Sequence, residues 1–161
     1  MRMLGDPDDC LVCSTPDADA KLYRMLVWEN DLWRLTASLV AEVRGFCALE
    51  PKRHISHITD LDGEEAETFG PVLARVSNVL RLVTAADVIY LYHFGDGIPH
   101  LIVYLGPHRE GDALSSQMVR GPVVTQRLPS GAELFVSEDH PPLLESELRD
   151  TAQSIADRLS S

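Results

Sequence analysis

The sequence predicts an α+β domain: an antiparallel sheet of about five strands under one main helix, followed by a hairpin and a second helix. Three observations predict it. Short runs rich in Val, Leu, Trp and Phe are separated by turn residues, as in antiparallel strands. Between the third and fourth runs, apolar residues recur at helical spacing from Phe69 to Val83. The chain has 161 residues, enough for one well-covered core and too few for two ordinary domains.

Taken in order, Met1 to Ala20 is rich in Asp and Pro and carries Cys10 and Cys13, which reads as a loop or knuckle fastened by something other than a core. Strands are expected at Arg24 to Glu29, Leu32 to Ser38 and Arg44 to Glu50. The first two are joined by a tight turn at Asn30-Asp31, and a break falls near Gly45. Asp62, with Glu65 three residues on, looks like a capping box. Phe69, Val72, Leu73, Val76, Leu80 and Val83 then form the apolar stripe of the main helix, which Gly70-Pro71 should kink or split. Asp87 to Phe94 and His100 to Leu105 read as neighbouring strands joined by a four-residue hairpin connection, Gly95 to Ile98. A second hairpin is expected in Val123 to Val136 around Pro129-Ser130-Gly131. A final helix from about Leu143 to Leu159 has Leu144, Leu148, Ile155 and Leu159 in register.

The composition excludes some functions. Formal net charge is −11, so the average field repels phosphate backbones and anionic lipid heads, and no basic stripe offsets it; no nucleic-acid partner is expected. No apolar run reaches the roughly 18 residues of a membrane span. Met1 to Asp9 is polar and acidic, unlike an export signal, so a cytoplasmic protein with no membrane association is expected. Three cysteines, two of them in a C-x-x-C pair, fit a reducing compartment and metal or redox use of the pair.

Cys10 and Cys13 can turn both thiolates toward one ion, and four-coordinate zinc is usually completed by two more Cys or His ligands. The available histidines are His54, His57, His93, His100, His108 and His140, and spacing alone does not choose among them. Cys47 lies in an apolar run and reads as a buried, inert thiol. The Gly95-Asp96-Gly97 loop is short and acidic, which argues against a phosphate cradle.

Two passages resemble the histidine triad superfamily over about residues 10 to 112. Glu50-Pro51-Lys52-Arg53-His54, followed by Asp60 to Glu65, is similar to that family's strand-to-helix passage. Ile98-Pro99-His100-Leu101-Ile102-Val103-Tyr104-Leu105-Gly106-Pro107-His108 stands where the family carries its His-x-His-x-His strand. The resemblance implies an amino-terminal domain of residues 1–112 with a zinc knuckle; residues 113–161 lie outside it and are expected to form an extension packed on the same domain. It implies zinc held by Cys10, Cys13, His54 and His100, the positions matching the ligands of the zinc-bearing branch. With four protein ligands such a site is structural. It also implies a homodimer formed through the sheet edge and the main helix.

The departure from the pattern matters as much. The family's middle histidine attacks the α-phosphorus of a nucleotide, and its place here is taken by Ile102, the third by Tyr104. Isoleucine has no lone pair and no titratable group, so the family's nucleotide hydrolase or nucleotidyltransferase chemistry is expected to be lost, with no catalytic residue by that mechanism. The polar residue that usually precedes the triad has no evident counterpart. Ile102, Tyr104 and His108 would line the old pocket for a small, nucleotide-like ligand. An alternative is a repurposed enzyme, in a specialised pathway, that uses Tyr104, His108 or His93.

Overall fold

In the computed structural model, residues 6–115, 118–119, 121–131 and 133–161 are described. Strands β1 (Arg24–Glu29), β2 (Trp33–Ser38), β3 (Cys47–Pro51), β4 (Val88–Tyr92) and β5 (Val103–His108) form one antiparallel sheet in the order β1-β2-β3-β5-β4. The turn between β1 and β2 is set by Asn30, whose side-chain oxygen accepts from the backbone N–H of Leu32 at 2.9 Å and of Trp33 at 2.7 Å. The expected α+β architecture is the observed one.

Two helices cover one face. In α3 (Gly63–Thr84) the predicted stripe turns inward, and Val76, Val79 and Leu80 are buried against Trp33, Leu35, Cys47, Leu49 and Leu105. The indole N–H of Trp33 donates to Thr68 Oγ1 at 2.8 Å, fixing the helix over β2. The carboxy-terminal helix α4 (Glu145–Leu159) adds Ala152, Ile155 and Leu159 to the same core. Burying a side chain such as Leu80 contributes about 1.5–3 kcal/mol, so this layer is the main source of stability. Gly45 lies beneath it at φ +74, and a Cβ there would stand 2.7 Å from Thr84 Cγ2, so the loop before β3 can run under the helix end only as glycine. Among the described residues no helix is long and apolar enough to cross a membrane.

Several local expectations are corrected. The helix runs unbroken through Pro71 and is not split there. Asp62 and Glu65 do not form a capping box: the N-cap makes no side-chain bond, and both carboxylates receive Arg53 instead, at 2.7 and 3.1 Å. A guanidinium on the preceding loop out-competes backbone N–H groups because its hydrogen bonds are charge-assisted. Leu144 stands outside the buried stripe and is exposed, and α4 starts after it. The β4–β5 connection spans residues 93–102 instead of four residues, because pairing runs from Tyr92↔Tyr104 to Val88↔His108 and leaves His100 before the strand.

Past β5 the chain forms short strands β6 (Leu114–Ser115) and β7 (Met118–Val119), then the predicted hairpin of β8 (Val123–Arg127) and β9 (Glu133–Ser137). Amino-terminal to β1 lie two single-turn helices, α1 (Leu11–Ser14) and α2 (Ala18–Lys21). Apart from Cys10, their only buried residue is Ala18, too little apolar surface to hold the segment alone.

Candidate metal centre and the second sheet face

Residues two apart on a strand share a face. The alternation that sends Leu35, Leu49 and Val103 toward the helices sends Arg34, Thr36, Ala48, Glu50 and Tyr104 to the opposite face. The candidate centre sits at one end of that second face.

The knuckle is built by local hydrogen bonds. The Cys13 and Ser14 N–H groups donate to the Cys10 carbonyl at 3.1 and 2.8 Å, a single tight turn that brings both thiols to one side. His54 follows the end of β3, and His100 precedes β5. The Leu101 N–H donates to the Ile55 carbonyl at 2.6 Å, clamping these two segments together. As a result one ligand atom from each of Cys10, Cys13, His54 and His100 lies within 4.8 Å of all the others.

The donor set fits tetrahedral zinc. Zn–S of about 2.3 Å and Zn–N of about 2.0 Å require S···N separations of about 3.5 Å. Cys10 Sγ lies 3.6 Å from His100 Nδ1, and Cys13 Sγ lies 3.3 Å from His54 Nδ1 and 3.4 Å from His100 Nδ1. The second nitrogens are fixed as a metal site needs. His100 Nε2 donates to the Pro51 carbonyl at 2.8 Å, which leaves the Nδ1 lone pair facing the thiols. His54 Nε2 pairs with Ser56 Oγ at 3.1 Å. Burial pulls His100 below the ordinary histidine range and favours the neutral, ligating ring. Burial, followed by the hydrogen bond and charge of Cys10, pushes the Cys13 thiol up to about 12. A bound cation would reverse that, because a coordinating thiol is deprotonated outright, and its uptake would release a proton.

Beside this centre lies a cluster that the sequence reading missed. Arg24 forms a two-pronged pair with Glu50 at 2.9 and 3.0 Å, and Glu50 is 0 % exposed. Arg34 Nη1 also donates to Glu50, at 3.0 Å. Asp19, on α2, accepts from Arg24 Nε at 2.9 Å and from Arg34 at 3.1 and 2.6 Å. Two cations and two anions balance. Arg34 and Glu50 are the charged residues of β2 and β3, and the register sets them opposite one another on the same side.

The other residues singled out from the sequence are spread along this face. Ile102 is buried, and its carbonyl accepts from His93 Nδ1 at 3.1 Å. Tyr104 packs on Phe46 at a centroid distance of 6.1 Å, and burial raises its pKa above the ordinary phenol. His108 stands at the far end of β5, six positions on from Ile102 and about 20 Å away at the usual rise. It is held instead by Asp112 at 2.8 Å and stacks on Tyr90 at 4.7 Å. Cys47 instead points the other way, into the core under the helices, and burial raises its pKa far above the ordinary thiol, consistent with an inert side chain.

No family model matches the sequence, and no curated protein matches it. Solved structures do. A hypothetical histidine triad nucleotide-binding protein from Sulfolobus tokodaii is 18 % identical with a TM-score of 0.65, covering 94 % of this chain and 92 % of its own. A histidine triad protein from Bradyrhizobium japonicum is 22 % identical at 0.65, over 86 % of this chain and 92 % of its own. A zinc-bound histidine triad family protein from Mycobacterium smegmatis is 19 % identical at 0.62, over 96 % and 98 %. The chain therefore has the histidine triad fold. Its Cys2His2 cluster is a candidate metal centre within that fold.

Proposed function

We propose that the protein is a zinc-organised histidine-triad-fold protein that binds a small, nucleotide-like ligand on the sheet face turned away from α3 and α4 and does not perform nucleophilic phosphoryl chemistry. Cys10, Cys13, His54 and His100 hold the zinc, which supplies a structural clamp between the amino-terminal knuckle and the sheet. The observation that carries the reading is the use of the triad segment. His100 is turned onto the cysteine pair, and the following alternate positions are a buried isoleucine and a packed tyrosine. Ile102, at the place of the family's nucleophile, has no group that can attack phosphorus. The expected result is one zinc per chain and no turnover of adenosine phosphoramidate, with activity appearing only in Ile102→His combined with Tyr104→His. Wild-type turnover at ordinary enzyme rates would sink this reading.

One observation favours the alternative of a repurposed enzyme. His93 donates from Nδ1 to the Ile102 carbonyl, which leaves Nε2 as a base beside the old nucleophile's place. A substrate whose turnover is lost in His93→Ala would establish it.

A homodimer belongs to the same proposal. Strand β4 is a sheet edge with exposed Val88 and Leu91, and Leu82 on α3 is exposed too. An exposed apolar edge strand is a template for pairing with another chain. Light scattering should give twice the chain mass for the wild type and the single mass for Leu91→Lys; a wild-type monomer at high concentration would remove the dimer from the proposal.

A further inference from the structure

Three N–H donors from two arginines converge on one carboxylate on the sheet face turned away from α3 and α4. Arg24 Nε and Arg34 Nη1 reach one oxygen of Asp19, and Arg34 Nη2 reaches the other at 2.6 Å. That is the geometry of a receptor for an oxyanion, since guanidinium forks match carboxylate and phosphoryl oxygens. Both arginines are fixed by the sheet, being 8 % and 20 % exposed, and Glu50 neutralises only one of their two charges. The carboxylate that fills the receptor comes from outside the sheet, on the single-turn helix α2. The segment carrying it is joined to β1 through Tyr23, a non-glycine residue at φ 49, a conformation that costs about 1–2 kcal/mol for an L-residue. The knuckle is therefore held against the sheet in spite of a strained joint, by Asp19 and by the metal ligands Cys10 and Cys13.

We propose that Arg24 and Arg34 form an oxyanion-binding site for the carboxylate or phosphoryl group of a small ligand, and that Asp19 is a built-in plug which the metal-bound knuckle keeps in place. The metal's part in this rests on the zinc reading above; the plug itself does not. While Asp19 is seated, the cluster is neutral and attracts no anion. Withdrawing it leaves an uncompensated positive charge in a partly buried setting, where an external oxyanion restores the balance.

The test is titration of the zinc-loaded full chain with inorganic phosphate and, separately, with benzoate, followed through the Arg24 and Arg34 Nε–H resonances. Wild type should bind both weakly. Asp19→Ala should bind at least one of them about tenfold more tightly or better, and adding Arg34→Gln should abolish the gain. Asp19→Asn, which keeps the shape and removes the charge, should show a smaller gain and serves if the alanine variant does not fold. Phosphate binding without benzoate binding assigns a phosphoryl ligand; the reverse assigns a carboxylate. A folded Asp19 variant that binds neither anion more tightly than wild type, or a gain that survives Arg34→Gln, overturns the site. Chelator-stripped wild type should gain affinity as Asp19→Ala does, and no gain there overturns the metal's control of the plug. A protein purified without zinc would defeat the reading of the metal centre while leaving the Asp19 variants to judge the plug.

Discussion

Cys10→Ser should lower the melting temperature by about 10 °C and make it insensitive to chelator. A ligand that binds only the folded state at about a thousand times its Kd stabilises by about 4 kcal/mol. For a domain of this length each kcal/mol is worth about 2–4 °C. The loss should be concentrated at the amino terminus, because Cys10 and Ala18 are the only buried residues of α1, α2 and the turns around them. Hydrogen exchange should accordingly speed up in the knuckle and in the two segments it touches, around His54 and His100, before it does in α3. Wild-type protein treated with chelator should match the serine variant on both measurements. A wild-type melting temperature unmoved by chelator would show that the four side chains meet without a metal's help and would end the structural-zinc reading.

What could be read from the sequence divides along physical lines. Strands β1 to β3 were legible as short runs rich in Val, Leu, Trp and Phe broken by turn residues, and α3 by apolar residues recurring at helical spacing. The boundaries around His100 were not. The apolar run from Leu101 to Leu105 looks like strand throughout, yet Leu101 is buried under α3 against Ile55, and sheet pairing begins only at Val103. The metal ligands show the same split. Cys10 and Cys13 announce themselves by spacing, whereas His54 and His100 stood out among six histidines only through the family resemblance. Chain spacing also could not show that His108 lies far along the strand from Ile102, since the extent of the strand was itself unknown. Least visible was the charged cluster. Asp19, Arg24, Arg34 and Glu50 come from four separate segments, and only the sheet register places Arg34 opposite Glu50. Each charge by itself reads as a solvated face.

That cluster carries the second large effect: Glu50→Ala should destabilise the fold by about 3–5 kcal/mol, because it leaves two guanidinium groups on the sheet with one partner between them. Glu50 is fully buried and takes both Arg24 and Arg34, which are themselves only 8 % and 20 % exposed, so little water reaches them to compensate. The cost lies in the uncompensated charge more than in the lost attraction, and a second variant separates the two. Replacing Glu50 and Arg24 together by methionine removes one anion and one cation, and the Arg34–Asp19 pair, at 2.6 and 3.1 Å, stays intact and neutral. Buried ion pairs exchanged whole for apolar groups of similar volume often cost nothing or stabilise. The double variant should therefore recover most of the stability lost in Glu50→Ala, as read from urea midpoints at an unchanged slope. If Glu50→Ala stays within about 1 kcal/mol of wild type, the arginines have found water or another anion, and the buried charge balance is not what holds this face together. If the double variant is worse than the single one, the attraction itself outweighs the desolvation penalty, and the cluster stabilises the fold directly instead of merely being tolerated.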